Sequence, residues 1–506
     1  MRNIKIAPFI VTGVIIFVSS IISAYTLFTQ SIRLDEAQSL WFFTKSVPAI
    51  LNLSAQDVNL PLYGLFLHFW IQFFGTDITV LRILSFLFYL FTIPVIYVVG
   101  KENSNQKVAL VSVVLFALSP FIIWYSGETR TYTLFVFLTT LSNLFFLRII
   151  NSEGKVGFLG YFISIVLGFY THYFFFFLVF TQASYLLVKF IIHIVKEEHI
   201  IHSSFFKTLW HNKRVPLQYL ATISSAFLLF IPWIWYVLSL GSASNTKPLI
   251  PTPTTFNIFQ AFENFLFGFQ SQNIQSTVVS LWPLLIGIFF FIFTQKNHTF
   301  AKNISYFLTI SFVPVVLIFV LSFIHPIFLS RYLIFVTPTL FFLMAWVFMS
   351  YSKKIATILI TLFIILSLSL SVYQTLSSQT PVKEDYEGVS QYLDNNATPS
   401  DIIAVSSPFT IYPMEYTYRG TTRISTIPKW NRYTSGSIPP YTIKNLQIQL
   451  KDYESQYKNL FVVLSYNQGY ENSIKNYLDN HYQRTMLKKF SPNLELRVYK
   501  LRYNTK

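Results

Sequence analysis

Apolar stretches of spanning length recur along the first 373 residues, at roughly 7–28, 80–99, 108–125, 131–149, 158–171, 174–195, 216–239, 278–294, 304–324, 332–350 and 355–373. A helix needs about 20 predominantly apolar residues to cross the hydrocarbon core. Inside lipid, backbone N–H and C=O groups must find partners within the structure itself, so a run of this kind is committed to a helix. The 506-residue chain is 53% hydrophobic, 19% aromatic and only 11% charged, a mix that excludes the soluble globular classes and fits a polytopic helical membrane protein. The first run, Ala7 to Phe28, is too long for the apolar region of a signal peptide and reads as a retained helix with the N-terminus inside.

Loop charges set the orientation. Basic residues gather at Lys101/Lys107, Arg148/Lys155, Lys196 through Arg214, Lys296/Lys302 and Lys353/Lys354. Loops poorer in basic charge alternate with these: Ser126 to Arg130, Thr171 to Tyr173, Gly241 to Thr277 and His325 to Arg331. By the positive-inside rule the basic clusters are cytoplasmic, which also removes the main argument for nucleic acid as the partner of a chain carrying a net charge of +16. Leu60 to Gly75 decides the parity. It is apolar but short, and if it crossed, every later loop would invert; it therefore reads as a juxtamembrane helix with aromatic residues at headgroup depth. A re-entrant or short tilted span is the alternative. Eleven spans follow, and residues 374–506 end outside.

That tail is polar. Helix-like stretches at Tyr386 to Asn395 and Thr442 to Gln456 alternate with strands at Ile402 to Val405, Leu460 to Leu464 and Leu494 to Leu501. The expected architecture is an all-α polytopic membrane domain over 1–373 and a small extracytoplasmic α/β domain over 374–506. Cysteine is absent, so there is neither a disulfide framework nor a thiolate metal site, and the compartment stays open on that count.

Acids are scarce in the membrane portion: Asp35, Glu36, Asp57, Asp77, Glu102, Glu128, Glu153, Glu197, Glu198 and Glu263 are the whole set. Charges near a bilayer are costly and stay where function or water holds them. The topology makes Glu102, Glu153, Glu197 and Glu198 cytoplasmic. The outward face keeps Asp35, Glu36, Asp57, Asp77, Glu128 and Glu263, with Arg33, Arg82, Arg130, His172, Lys247, His325 and Arg331. Most lie within a few residues of a span's outer end. A ring of acids and bases around a cavity at bilayer level suits a reaction whose leaving group is lipid-anchored.

RLDEAQSLWFF (33–43) resembles the acidic motif that opens the first extracytoplasmic loop of the polyprenyl-phosphate-sugar-dependent glycosyltransferases of the GT-C fold, which include protein O-mannosyltransferases and lipid A aminoarabinose transferases. DVNLPLYGLFLHFW (57–70), LRILSFLFYL (81–90), LSPFIIWYSGETRTYTL (118–134), YTHYFFF (170–176) and SRYLIFVTP (330–338) are similar to family segments in the expected order. The chain departs at Asn59-Leu60, where the family usually shows His-Pro, so a role for that histidine does not carry over. Pro61 still suits the first turn of a helix.

The resemblance implies a GT-C membrane enzyme that moves a sugar from a polyprenyl-phosphate donor to a lipid, glycan or protein hydroxyl on the outer face of the cytoplasmic membrane. Asp35 would be the general base, with inversion at the sugar carbon and Glu36 and Glu128 as further candidate catalytic acids. Arg82, Arg130 and Arg331 are the candidates for the donor phosphate. His172, Tyr63 and Tyr132 are candidates for substrate contact, and Trp41 is a further ring for stacking on a sugar. No cofactor is implied; a metal held by Asp35, Glu128 and a histidine is chemically reasonable but has no motif with ligand spacing.

Plainer readings stand beside these: a solvated acidic pair at Asp35-Glu36, an interhelical salt bridge at Glu128/Arg130, snorkelling for Arg82 and Arg331, and simple packing for His172. Asp57 and Glu263 read as loop structure. A transporter or flippase of lipid-linked glycans is the rival function, and it would need charges or broken helices at the midplane, whereas these crowd the outer helix ends. Reporter fusions at residues 104 and 440 are expected on opposite sides of the membrane; finding both on one side would contradict the eleven-span arrangement.

Overall fold

The computed structural model describes residues 7–56, 59–151, 154–197, 214–240, 250–271, 276, 301–378, 380, 383–433 and 438–501. Asp57, Lys247 and the expected span at 278–294 lie outside the described residues. The membrane portion begins with α1 (Ala7–Thr29), three short helices α2 (Leu34–Phe43), α3 (Val47–Gln56) and α4 (Pro61–Phe74), and then α5 (Ile78–Asn103). It continues through α6 (Gln106–Leu118), α7 (Pro120–Ser126), α8 (Tyr132–Ile150), α9 (Gly154–Phe169), α10 (Phe175–Glu197), α11 (Arg214–Ser239), α12 (Thr255–Phe267) and α13 (Ile304–Leu321). A 3-10 turn, Ser330–Val336, leads into α14 (Thr337–Met349), and α15 (Lys353–Leu376) ends the bundle.

Among the described residues, 8 helices are long and apolar enough to cross a membrane, or 9 if one bent pair is a single span. That pair corrects the sequence reading of 108–125 as one uninterrupted helix. α6 stops at Leu118 and α7 starts at Pro120 after a bend of 63°. Pro120 has no N–H for the ladder and its ring clashes with the preceding turn, so the helix restarts with proline in its first turn. Ser119 secures the corner by donating to the Phe265 carbonyl at 2.8 Å. The bend brings the loop 127–131 to the C-terminal end of α1, with Gly127 against Thr26 and Leu27. Glu263, expected in a loop, is instead buried in α12.

α4 is the apolar segment that decided the parity. It buries Pro61, Tyr63, Gly64, Leu67 and His68 against the bundle. Phe66, Phe69, Phe73 and Phe74 face outward, Phe73 at 80% exposure. The helix thus has one face packed on the bundle and one exposed aromatic face. α2, α3 and α4 thus frame the connection between α1 and α5.

The chain then builds α16 (Tyr386–Asn396), β1 (Ile402–Ser406), α17 (Ile411–Thr417), β2 (Arg423–Thr426), α18 (Ile443–Glu454), β3 (Asn459–Ser465), α19 (Glu471–His481), β4 (Gln483–Ser491) and β5 (Leu494–Lys500). The sheet order is β2-β1-β3-β5-β4. β1 is parallel to both β2 and β3, while β5 runs antiparallel to β3 and β4. Side chains alternate across it. Ile402, Ala404, Leu460 and Val462 meet Leu446, Leu450, Ile474 and Leu478 on one face. Ile403, Val405, Phe461 and Val463 meet Tyr386, Val389 and Leu393 on the other. Helices on both faces explain why the inner strands read as continuous apolar runs.

Candidate active site

α2 starts because Asp35 and Glu36 occupy its first turn, where carboxylates favour the positive end of the helix dipole. Glu36 folds back to accept the backbone N–H of Arg33 at 3.0 Å. From there the two neighbouring acids part company.

Glu36 is fully buried and held by Arg82 through two parallel bonds, Nε to Oε1 at 2.9 Å and Nη2 to Oε2 at 2.7 Å. The Thr129 N–H adds a further bond to Oε1 at 2.9 Å. Burial alone would raise the Glu36 carboxyl; the Arg82 charge and hydrogen bonds, with Arg33 and the Thr129 amide, outweigh it and bring it down to about 2. Arg82 spends its remaining donors on the carbonyls of Leu27 (3.0 Å), Gln30 (2.8 Å) and Ser31 (3.0 Å). Every N–H of Arg82 is therefore engaged, and the side chain has no exposure. Glu36, expected among the catalytic acids, is thus enclosed by protein groups, and Arg82, expected at the donor phosphate, has all its donors engaged within the protein.

Asp35, one residue earlier, points the other way. Its Oδ2 lies 3.5 Å from Arg331 Nη1, and the two side chains keep 30% and 36% exposure. Burial alone would raise the Asp35 carboxyl, but the charges of Arg130 and then Arg331 outweigh it and hold it below its usual value. Arg130 comes from the loop after α7. Its side-chain bonds are long, 3.5 Å to Ser39 Oγ and 3.3 Å to Asn59 Oδ1. Asn59, at the departure from the family pattern, thus touches the site through Arg130. Arg331, at the start of the 3-10 turn, keeps Nε buried without a hydrogen-bond partner among the described residues.

Glu128 pairs with Arg33, Nη1 to Oε2 at 2.9 Å, rather than orienting Arg130 through its carboxylate. Burial raises its carboxyl, with Arg33 opposing and Asp35 and Glu36 reinforcing the rise. Arg33 itself stacks over the Trp124 ring at 3.7 Å, a cation–π contact, and donates to Gln30 Oε1 at 2.8 Å. Sequence reasoning placed Arg33 on the outer face without giving it a role, although its position directly before the acidic pair was the available signal.

His172 sits in the turn between α9 and α10, stacked on Phe135 with centroids 4.5 Å apart and rings 9° from parallel. Its Nδ1 accepts the Phe174 N–H at 3.1 Å, which leaves the ring proton on Nε2. Burial, with Arg130 and Arg331 nearby, pushes its pKa down to about 3, so the ring is neutral at neutral pH. Tyr63 and Tyr132 are 3% and 2% exposed. Tyr63 shares a 2.7 Å bond with Ser85, and Tyr132 packs edge-on to Tyr125 at 4.7 Å. Neither offers an open ring face for a sugar. Trp41 packs on Tyr412 of α17 at 5.4 Å.

The arrangement thus holds one half-open carboxylate, Asp35, flanked by two guanidinium groups with donor capacity to spare. Charge-assisted contacts of this kind suit an anion with several oxygens.

The fold is that of the GT-C membrane glycosyltransferases, and the chain resembles the members that use polyprenyl-phosphate-linked sugars. Within that class, residues 59–236 match a family model described as dolichyl-phosphate-mannose-protein mannosyltransferase. The structure is similar to ArnT from Cupriavidus metallidurans in the apo state, with a TM-score of 0.59 at 10% identity over 96% of this chain and 97% of that one. The same protein bound to undecaprenyl phosphate gives 0.58 at 11% identity, covering 98% of both chains. The archaeal oligosaccharyltransferase AglB from Archaeoglobus fulgidus, in complex with an inhibitory peptide and a dolichol-phosphate, gives 0.49 at 10% identity over 89% of this chain and 69% of that one. No curated protein matches the chain in sequence.

Breaking the buried pair on one side leaves an uncompensated charge, which costs about 3–5 kcal/mol. Glu36→Gln and Arg82→Met are therefore expected to lower the unfolding temperature sharply in lipid nanodiscs. A variant at Arg82 that melts like the parent while its donor KM rises would return this arginine to phosphate binding.

Proposed function

We propose that the chain is an inverting glycosyltransferase acting on the outer face of the cytoplasmic membrane, with the sheet-bearing tail outside. It takes a sugar from a polyprenyl-phosphate donor and passes it to a hydroxyl of a lipid, glycan or protein. The observation that carries this reading is the contrast between the two neighbouring acids: Glu36 is locked on Arg82 at 2.7 Å, and Asp35 faces Arg331 loosely at 3.5 Å with both side chains part-exposed.

In this reading the acceptor oxygen attacks the anomeric carbon while its proton goes to Asp35. The bond from that carbon to the phosphate oxygen breaks, and the electron pair leaves with polyprenyl phosphate. The sugar carbon passes through an oxocarbenium-like state, as in glycoside hydrolysis. A phosphodiester becomes a phosphomonoester, so negative charge develops on the leaving group, and Arg130 and Arg331 are placed to stabilise it. The neutral His172 supplies an Nε2–H donor beside them.

The same arginines depress the basicity of Asp35 before the donor arrives. A bound phosphate draws their charge away from the carboxylate and raises its basicity toward working pH, where a general base is most effective. Donor binding thereby arms the base. No cofactor enters this scheme, because the two guanidinium groups already supply the countercharge.

The test is sugar transfer from synthetic polyprenyl-phosphate donors to a mixed acceptor panel. Asp35→Asn is expected to lose on the order of 10²–10⁴-fold in kcat while melting like the parent. A folded Asp35→Asn protein with parental activity would remove Asp35 from the base role, and loss of transfer on chelation would bring a metal into the mechanism.

A further inference from the structure

The carboxyl ends of the parallel strands β1 and β3 are the usual ligand edge of an open α/β sheet. Here that edge meets the helix that carries Asp35. Ser407, just after β1, donates its N–H to the Ser465 carbonyl at the end of β3 at 2.9 Å. Tyr386 OH reaches Ser465 Oγ at 3.3 Å. The next residue, Tyr466, adopts a left-handed backbone with φ of 51°, a conformation uncommon outside glycine and kept where the surroundings fix it. Its hydroxyl donates to Glu384 Oε1.

The other oxygen of Glu384 accepts the backbone N–H of Leu34 at 2.8 Å. That amide belongs to the first turn of α2, where no partner within the helix exists. The Leu34 side chain packs against the sheet cluster of Ile403, Val405 and Val463. Ile32, Ala37 and Trp41, on either side of Asp35, pack with Tyr412, Phe409 and Trp430 of the same outer unit. The first turn of α2 is therefore gripped from the side opposite the Glu36–Arg82 pair.

We infer that Glu384 is a positioning residue for Asp35: its ionised carboxylate, oriented by Tyr466, holds the first turn of α2 and makes the sheet-bearing tail part of the active-site frame. The inference rests on Asp35 as the base. Besides Leu34, the groups facing Glu384 are Tyr466, Tyr386, Asp35 and Arg33. Burial is the largest influence on its carboxyl, which ends raised to about 7 although the Tyr466 and Leu34 bonds lower it. Above that pH Glu384 is charged and accepts both bonds; below it one oxygen carries a proton and the charged acceptor of the Leu34 amide is gone. Asp35, held below the usual carboxylate range, is still ionised there.

The full-length protein in lipid nanodiscs tests this with two readouts. In the first, kcat/KM of the parent, which reports the free enzyme before phosphate has raised the basicity of Asp35, falls as pH drops below about 7 and levels off at the rate of the protonated form. Glu384→Gln keeps a neutral acceptor of the same size; it is expected to be flat across that range at a lowered rate, with donor KM little changed. In the second, amide hydrogen exchange of the segment 31–40 is expected to be faster in Glu384→Ala than in the parent. An acid limb that persists unchanged in Glu384→Gln, or unchanged exchange in Glu384→Ala, overturns the inference. If even the parent transfers no sugar, the donor reading fails, and the exchange measurement still decides whether Glu384 holds the helix.

Discussion

The ion pair between Glu36 and Arg82 is the joint on which the site depends. Arg82 stands near the N-terminal end of α5 and caps the end of α1 through the carbonyls of Leu27, Gln30 and Ser31. Glu36 answers from the start of α2 and ties in the loop after α7 through Thr129. A positive charge at the end of one helix and a negative charge at the start of the next both follow the helix dipole. Burying two charges is costly, and such pairs add little net stability compared with apolar packing. Their value here is register: with every donor of Arg82 engaged, α2 has one position relative to α1, α5 and the loop at 127–131.

That fixed frame lets the neighbouring acid stay loose. A 2.7 Å pair with no exposure leaves no room for a ligand, whereas a 3.5 Å pair between part-exposed groups does. Arg130 and Arg331 share one anionic neighbour, Asp35, and both have bonding capacity left for a phosphate. The proposed chemistry follows from this surplus: the cations that lower the basicity of Asp35 are the ones a departing phosphate requires. The tail completes the frame, with Glu384 and Tyr466 at the sheet edge meeting the first turn of α2.

Much of the architecture was legible because lipid imposes a length. The expected spans fall on helices wherever the residues are described, although the break at Ser119-Pro120 divides one of them, and α9 at 16 residues is shorter than a full crossing. In the tail, β1 and β3 could be read because both faces are covered and their sequences are unbroken apolar runs. β2 and β4 were missed because they are the two edges of the sheet, part-exposed and rich in polar residues such as Arg423, Lys488 and Lys489. The acidic pair stood out by scarcity, and its three arginines by their positions at helix ends. Sorting them was beyond the sequence, since nothing in a linear pattern tells that Arg82 is enclosed while Arg331 is open. Glu384 was equally hidden, because its partner amide lies 350 positions away.

The central claim is the division of labour between a locked arginine and two available ones. A structure of the protein with bound polyprenyl phosphate tests it most directly. The account predicts phosphate oxygens at about 2.7–2.9 Å from Arg130 and Arg331 nitrogens, Asp35 Oδ2 released from Arg331, and Arg82 still paired with Glu36. A phosphate seated on Arg82, with Glu36 displaced, would contradict it.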